Sequence, residues 1–275
     1  MNGSTGPAFP FLTVLASGGH TLLISSMSLV AHTILASTQD IALGDCLDKA
    51  ARTILPPRLL QAPYGRALEQ FAFDGSDPEY GYTPPSRRQE ELRPRKTQWN
   101  WALTPPLSAS KSGEKTSRRM CFSFSGLLNN VERFMTRAIN PDGRSTMDAR
   151  NPEEISIEER QEMAREVQRV AFEHLTSRIL LHLTGAGDNV KTIVVSGGVA
   201  SNSFLRHVLR STLDAQGFAD IRIEIPPISL CTDNALMIAW AAIEMWQAGY
   251  RTSLEVQPIR RWAMDEIAPE YIFAS

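Results

Sequence analysis

VLASGG at residues 14–19 and VVSGG at residues 194–198 share one pattern, in which an apolar run leads into the tripeptide Ser-Gly-Gly. An apolar run of this kind predicts a buried strand. Two glycines after a strand allow a tight turn whose backbone N–H groups can face phosphate oxygens. We interpret both stretches as phosphate-facing turns, and a pair of ordinary tight turns is the alternative that spacing alone leaves open.

Around these two turns, strands and helices alternate along the chain. Residues 11–16 and 20–25 form a predicted hairpin, and Ser156 with Glu159 resembles a capping box that opens a long helix. The other predicted elements are strands at 29–36, 192–196 and 221–225 and helices at 41–55, 65–73, 124–139, 202–215 and 234–248. The β-α-β-α order after residue 192 predicts an α/β sheet.

Composition limits the classes of protein that remain. A chain of 275 residues that is 43% hydrophobic can bury a large core. The net charge of -2 gives no global field for a polyanion, so any RNA contact must be local. No apolar stretch approaches the roughly 20 residues that cross a bilayer, and we expect a soluble protein with no visible targeting segment. Three widely spaced cysteines fit a reducing compartment and argue against a cysteine-built zinc site.

Residues 74–121 differ from the rest of the chain, because they are rich in proline, serine and charge. Between Pro84 and Arg119, nine basic residues face three acidic ones, and Trp99 and Trp101 lie among them. Such a segment could contact nucleic acid through phosphate pairing and base stacking. A solvated linker is the alternative that composition favours. We therefore predict one domain over residues 1–275 that contains a flexible basic insert at 74–121.

Five motifs occur in a fixed order along the chain: SGGHT at 17–21, GDCLDK at 44–49, FSFSGL at 122–127, SGGVASN at 196–202 and CTDN at 231–234. Together they resemble the tRNA N6-adenosine threonylcarbamoyltransferase family, once named O-sialoglycoprotein endopeptidases. DIALGD at 40–45 and PIRRW at 258–262 resemble its mitochondrial, fungal-type branch most.

The resemblance implies an α/β fold of the actin, sugar kinase and Hsp70 type (ASKHA), with two lobes that close on a nucleotide. The implied activity transfers a threonylcarbamoyl group from threonylcarbamoyl-adenylate to N6 of the adenosine beside the anticodon in tRNAs that read ANN codons. The implied partners are tRNA and the adenylate. A homodimer is the oligomeric form that we consider, and no association with a membrane is implied. The branch implies a mitochondrial location, and a cytoplasmic one is the alternative.

In the family, the first glycine turn holds threonylcarbamoyl-adenylate. The resemblance carries this role over to five positions of this chain: Leu15, Ala16, Ser17, Gly18 and Gly19. The resemblance gives three further substrate-binding positions: Asp48, Gly65 and Asn202. A carboxylate at Asp48 can accept both ribose hydroxyls, and a helix-surface charge is the alternative. Gly65 aligns with the second glycine of a Pro-Gly-Gly-Pro turn of the family. The turn is altered here, because Tyr64 and Arg66 replace the first glycine and the second proline. At Asn202 the alternative to pairing with the adenylate is helix capping, and both can hold.

Asp233 falls on the family's carboxylate ligand to one divalent ion of the iron or zinc type, with helix capping as the alternative. The other two family ligands are histidines spaced four apart, and none of the histidines at 20, 32, 174, 182 and 207 have that spacing. Such sites normally supply about three protein ligands, so one carboxylate would not hold the ion firmly. The resemblance places the two histidines in an opening lobe upstream of Phe9, where this sequence has eight residues, and we expect the first lobe to be largely missing.

No residue is assigned as a catalytic nucleophile. His20 beside the first turn could assist proton transfer, although a structural role bonded to backbone is favoured. Two other functions stay open: a truncated, non-catalytic scaffold with exposed apolar surface, and another nucleotide-dependent phosphotransferase of the same fold.

Overall fold

The computed structural model describes residues 6–73, 75, 77, 80–108, 116–185, 189–227, 230–231, 235–258, 260, 262–266 and 273–274. Its strands are β1 Phe11–Ala16, β2 Thr21–Ser26, β3 His32–Ser37, β4 Arg137–Ile139, β5 Ser145–Ala149, β6 Thr192–Ser196, β7 Arg222–Glu224, β8 Tyr250–Arg251 and β9 Phe273–Ala274. Its helices are α1 Leu43–Ile54, α2 Tyr64–Ala72, α3 Arg88–Glu91, α4 Ser125–Thr136, α5 Ile157–Gly185, α6 Ser203–Ala215 and α7 Ala235–Gln247. Each strand and helix named from the sequence is present, with the predicted ends for β1 and β6 and with shifted ends for the others. Helix α3 and the short strands β4, β5, β8 and β9 were not predicted.

A five-stranded mixed sheet with the order β3-β2-β1-β6-β7 forms the centre of the fold. Strand β2 is antiparallel to both of its neighbours, β1 and β3, whereas β1 and β6, like β6 and β7, are parallel. Alternate residues of β1 (Leu12, Val14 and Ala16) are fully buried, as its apolar pattern requires. Since β1 and β6 are parallel neighbours, their carboxyl ends lie at the same edge of the sheet.

Helix α5 is the central helix, and it is buried on all sides over most of residues 163–179. The capping box at its start is formed only in part. The Glu159 N–H donates to Ser156 Oγ at 3.1 Å as predicted, but the buried Glu159 carboxylate accepts from Trp101 Nε1 at 3.0 Å and from Arg150 Nη1 at 2.9 Å. Burying a carboxylate is costly unless charged or strong donors bond to it. This cost outweighs the gain from a second capping hydrogen bond at the start of the helix.

Some side chains of the 74–121 segment pack into the core, whereas most of residues 86–98 are exposed. Trp101 and Leu103 are fully buried, Tyr82 belongs to the same core, and Trp99 stacks on Trp101 with ring centroids 6.4 Å apart. The idea that Trp101 stacks on a nucleic-acid base is therefore wrong. Burying large aromatic side chains outweighs the polar character of the surrounding residues. The extent of the insert stays a prediction.

Asp40, just before α1, joins this helix to the start of α4. Its carboxylate accepts from Ser123 Oγ at 2.7 Å, from the Phe124 N–H at 2.9 Å and from Ser125 Oγ at 2.6 Å. Burial raises the pKa of Asp40, but the hydrogen bonds from Ser125, Phe124 and Ser123 outweigh burial and the pKa is lowered. Asp40 thus caps a helix that is distant in sequence.

We expect Asp40→Ala to lower the free energy of unfolding by about 1–2 kcal/mol, the usual value for a lost helix cap, because the site is partly exposed. A carboxyl with a lowered folded pKa stabilises above its unfolded pKa, so the difference from wild type should shrink below about pH 4. Chemical denaturation at several pH values measures this. Asp220→Ala, at an exposed turn, should change stability by less than about 0.5 kcal/mol; an equal loss in both variants would contradict the capping role.

Among the described residues, no helix combines the length and the apolar character that crossing a bilayer requires.

Candidate functional site

The two Ser-Gly-Gly turns lie side by side at one edge of the sheet. In the parallel register of β1 and β6, Leu15 pairs with Ser196. Gly197 has φ +92°, and a Cβ placed there would lie 2.3 Å from the Ala16 carbonyl oxygen. The Gly44 N–H at the start of α1 donates to the Ser17 carbonyl at 3.0 Å. Glycine is therefore required where three backbone segments approach most closely.

A cleft of about 690 Å³ opens in front of this edge. It contains one residue from the first turn, Gly18, together with Gly198 of the second turn. Of the other predicted site residues, Asp48, Gly65 and Asn202 also line it. The remaining lining residues are Gly44, Leu47, Pro63, Arg66, Glu69, Gln70, Phe73, Gly75, Tyr80, Val199, Ser201, Ser203, Arg206 and Cys231. The fold thus brings residues from four separate motifs to one hollow.

Several N–H groups of the first turn are already bonded within the turn. Ser17 Oγ accepts from the N–H of Gly19 at 3.2 Å and from the N–H of His20 at 3.0 Å. Ala16 is fully buried, Leu15 is paired within the sheet, and the His20 side chain is exposed. The serine side chain thus closes the turn and engages the N–H groups of Gly19 and His20. The role of the turn in substrate binding stays a prediction.

The start of α6 is also occupied. Asn202 Oδ1 caps the helix by accepting from the Leu205 N–H at 2.9 Å, and Asn202 Nδ2 donates to Gln168 Oε1 at 2.9 Å. The Glu69 carboxylate accepts from the N–H groups of Ser203 at 2.6 Å and Phe204 at 3.3 Å. The N–H groups of Ser203 and Phe204 at the start of α6 are therefore engaged by a carboxylate and are not free to bind phosphate. The predicted capping by Asn202 is confirmed.

Asp48 and Gly65 form one unit on the wall of the cleft. The Gly65 N–H donates to Asp48 Oδ1 at 3.0 Å, and no described residue donates to Asp48 Oδ2. Burial raises the pKa of Asp48, although the Gly65 N–H and Arg52 act in the opposite direction. One carboxylate oxygen is thus fixed by backbone while the other is available to a ligand.

Sequence reasoning missed Glu69, Phe73, Tyr80 and Arg206. Phe73 and Tyr80 pack edge to face with centroids 5.0 Å apart, and both line the cleft. Burial raises the pKa of Glu69 against the lowering effect of the Ser203 and Phe204 N–H groups. The available signal was the position of Glu69 one helical turn after Gly65, on the same face of α2.

The described residues do not assemble a metal site. They contain no group of three or more His, Cys, Asp or Glu side chains that could hold an ion. Asp233, the predicted ligand, lies outside the described residues. His32 bonds to Ser26 at 2.9 Å, and His174 is buried beside the Ser123 N–H. Burial lowers the pKa of His174, and the positive charges of Arg178 and Arg88 lower it further.

Comparison with known proteins identifies the family of this chain. The family model described as tRNA N6-adenosine threonylcarbamoyltransferase matches residues 1–240. The chain belongs to the tRNA N6-adenosine threonylcarbamoyltransferase family. The resemblance drawn from the ordered motifs is thereby confirmed, and the mixed α/β sheet is consistent with the ASKHA-type fold of that family.

Three relatives show how much of the threonylcarbamoyltransferase family pattern the chain covers. The mitochondrial tRNA N6-adenosine threonylcarbamoyltransferase of Schizosaccharomyces pombe is 36% identical over 94% of this chain and 55% of its own length. Enzymes of the same name from Rhizobium leguminosarum and Bartonella henselae are each 34% identical, over 97% and 94% of this chain. The chain spans 62% and 60% of their lengths. It therefore spans less than two thirds of each of these curated relatives.

Proposed function

We propose that the chain transfers a threonylcarbamoyl group from threonylcarbamoyl-adenylate to N6 of the adenosine beside the anticodon in tRNAs that read ANN codons. The parallel pairing of β1 and β6 carries this proposal, because it sets both glycine turns against one cleft with Asp48 and Asn202. The names of the three relatives describe threonylcarbamoyl transfer to N6 of a tRNA adenosine, and the donor and the codon class are part of our proposal.

The adenylate contacts that we propose follow from the free groups of the cleft. The backbone at Gly18 and Gly198 would approach the phosphate, because the space beside both residues is open. A Cβ added at either would have no other atom within 4 Å. The free oxygen of Asp48 would accept the ribose hydroxyls, and Arg206 would balance the phosphate charge. Leu15, Ala16, Ser17 and Gly19 would act by shaping the turn, and Gly65 by fixing Asp48.

The chemistry is an acyl transfer. N6 of adenosine forms a bond to the carbamoyl carbon, the bond from that carbon to the phosphate oxygen breaks, and AMP leaves with the electron pair. The proton lost by N6 passes to solvent or to the phosphate. The protein would contribute by positioning both substrates and countering charge on the phosphate.

The family is generally metal-dependent, and our proposal from the resemblance is one divalent ion of the iron or zinc type with Asp233 as a ligand. The described residues do not provide the other donors.

Asp48→Asn should weaken binding of AMP about tenfold, because a charged acceptor of the ribose hydroxyls becomes neutral while an oxygen remains for the Gly65 N–H. Titration calorimetry measures the affinity. Asp45→Asn, which changes the same charge on the solvent side of α1 next to Lys49, should leave it unchanged. With 2′,3′-dideoxy-AMP the Asp48 variant and wild type should bind alike; a persisting tenfold difference would show that Asp48 does not contact the ribose.

The reaction itself is tested with the purified chain, tRNA transcripts and threonylcarbamoyl-adenylate made from labelled threonine. Label in tRNAs that read ANN codons, lost when the target adenosine is replaced, supports the function. Phosphorylation of a sugar with no label in tRNA would instead favour the phosphotransferase alternative.

For location we propose mitochondria, because the Schizosaccharomyces pombe relative is the mitochondrial protein. A fluorescent fusion of the whole gene product tests this, and a cytoplasmic signal would reverse it.

A second candidate function, a non-catalytic scaffold that forms a homodimer or binds another protein, is favoured by α7. Leu236, Ile238 and Trp240 are 70%, 75% and 70% exposed, and Ile243 and Trp246 are exposed as well. A helix this apolar usually has a partner. Sedimentation analysis distinguishes a monomer that binds AMP from an associated form that does not.

A further inference from the structure

A second pocket, of about 190 Å³, lies between α3, residues 116–118 and the C-terminal halves of α5 and α6. We call it the arginine pocket, because Arg87, Arg88 and Arg118 line it. Uncharged donors surround them: Ser177, Thr184, Thr212 and Gln216. None of the residues that line the arginine pocket lines the cleft.

The fold holds the arginine pocket in a fixed geometry. The Ser117 carbonyl accepts from both Arg88 Nη2 and Arg178 Nη2, and the second of these bonds is 2.9 Å long. Arg178 Nη1 donates to the Arg119 carbonyl at 2.6 Å, and Gln216 Nε2 donates to the Pro85 carbonyl at 3.0 Å. Two parts of the basic segment that are remote in sequence are thereby brought to one place.

Positive charge at the arginine pocket is only partly balanced. The Nε atoms of Arg88 and Arg178 are buried without a hydrogen-bond partner among the described residues. Burial lowers the pKa of Arg178 to about 10, and the positive charge of Arg88 adds to the effect. The two acidic residues of the lining are already engaged, Glu91 with Arg88 and Glu173 with Arg95 and Arg169.

Arg87 and Arg118 supply the groups that a ligand could use. Both are exposed, and neither pairs with an acidic group in the described ranges. Guanidinium groups match the geometry of phosphate oxygens. A pocket of this size, ringed by arginines and hydroxyl groups, suits one phosphate group and is too small for a whole nucleotide.

We propose that the arginine pocket binds a backbone phosphate of the RNA substrate. An RNA is favoured over a free phosphate compound because further exposed basic residues lie in the same stretches of chain as the arginines of the pocket: Arg93, Lys96 and Arg119. With Trp101 buried in the core, contact through the backbone and not through base stacking is expected. The choice of RNA rests on the proposed tRNA-modifying function.

The test is binding of a labelled anticodon stem-loop RNA to the full chain, followed by fluorescence polarisation at several salt concentrations. For the double variant Arg87→Gln, Arg118→Gln we expect about tenfold weaker binding and a salt dependence smaller by about two ions. The matched control is Arg58→Gln, Arg144→Gln, which removes two exposed arginines that do not line the pocket. The control should retain wild-type affinity within about twofold. Thermal melting confirms that all variants fold.

Equal losses in the two double variants, or no loss in either, would overturn the proposal. Titration with inorganic phosphate tests the other source of the ligand. Tight binding of phosphate that depends on Arg87 and Arg118, with unchanged RNA affinity, would assign the pocket to a free phosphate compound and overturn the RNA assignment. The assay needs no turnover, so failure of threonylcarbamoyl transfer would leave the RNA-binding result readable on its own.

Discussion

Gly197→Ala is expected to remove most of the native stability of the chain, a loss of about 4 kcal/mol or more. An alanine at φ +92° is strained, and its Cβ would lie 2.3 Å from the Ala16 carbonyl oxygen and 2.8 Å from the Ala16 carbonyl carbon. Backbone atoms of a central strand cannot move away without breaking the pairing of β1 and β6. Since domains are stable by only about 5–15 kcal/mol, soluble expression should fall steeply. Urea denaturation or, if the chain fails to accumulate, the soluble fraction measures the effect.

Gly198→Ala is the matched control for this prediction. It introduces the same methyl group one residue later, where no other atom lies within 4 Å of the added Cβ. Stability should stay within about 0.5 kcal/mol of wild type. If both variants were equally stable, the close approach of the two strand ends at Gly197 would be disproved.

Arg169→Met should cost about 3–5 kcal/mol, because it removes the counter-charge of the buried Glu166 carboxylate and leaves the buried Glu173 carboxylate with Arg95 alone. Arg169 on α5 makes two hydrogen bonds to Glu166 and one to Glu173 at 2.6 Å, and all three residues are buried. Burial raises the pKa of Glu173, while the charges of Arg169 and Arg95 lower it. Removing Arg169 should therefore raise the pKa of Glu173 further.

The sign of the pH effect follows from this shift. A carboxyl with a raised folded pKa binds a proton more readily in the folded than in the unfolded chain, so folding is favoured as the pH falls toward that pKa. The Arg169→Met variant should regain part of its lost stability between about pH 7 and pH 5. Denaturation at both pH values measures the recovery.

Arg222→Met is the control for the Arg169 prediction, because the Arg222 side chain is 65% exposed where it pairs with Glu224. Exposed pairs contribute about 0–1 kcal/mol, and no recovery at low pH is expected. An Arg169 variant as stable as the Arg222 variant would mean that the buried ion pairs of α5 contribute little to the stability of the chain.

Local sequence signals predicted most of the secondary structure. The apolar runs before each Ser-Gly-Gly tripeptide are strands, the hairpin of β1 and β2 is present, and helices α1, α2, α4, α5, α6 and α7 lie where apolar periodicity placed them. These signals work because strand and helix periods depend on neighbours a few residues away. The prediction for Trp101 in the 74–121 segment was wrong. The polar composition of the segment gave no sign that this side chain is buried, because its partner, Glu159, lies far along the chain.

By itself the sequence determined the α/β class, the positions of the two glycine turns and, through its ordered motifs, the family. Only the tertiary structure decided that β1 and β6 are parallel neighbours, that Glu69 fills the start of α6 and that Arg87 and Arg118 meet at one pocket. The physical reason is that a backbone N–H or a charge takes whichever partner the fold brings near. That partner comes from parts of the chain too far apart for any local pattern to record.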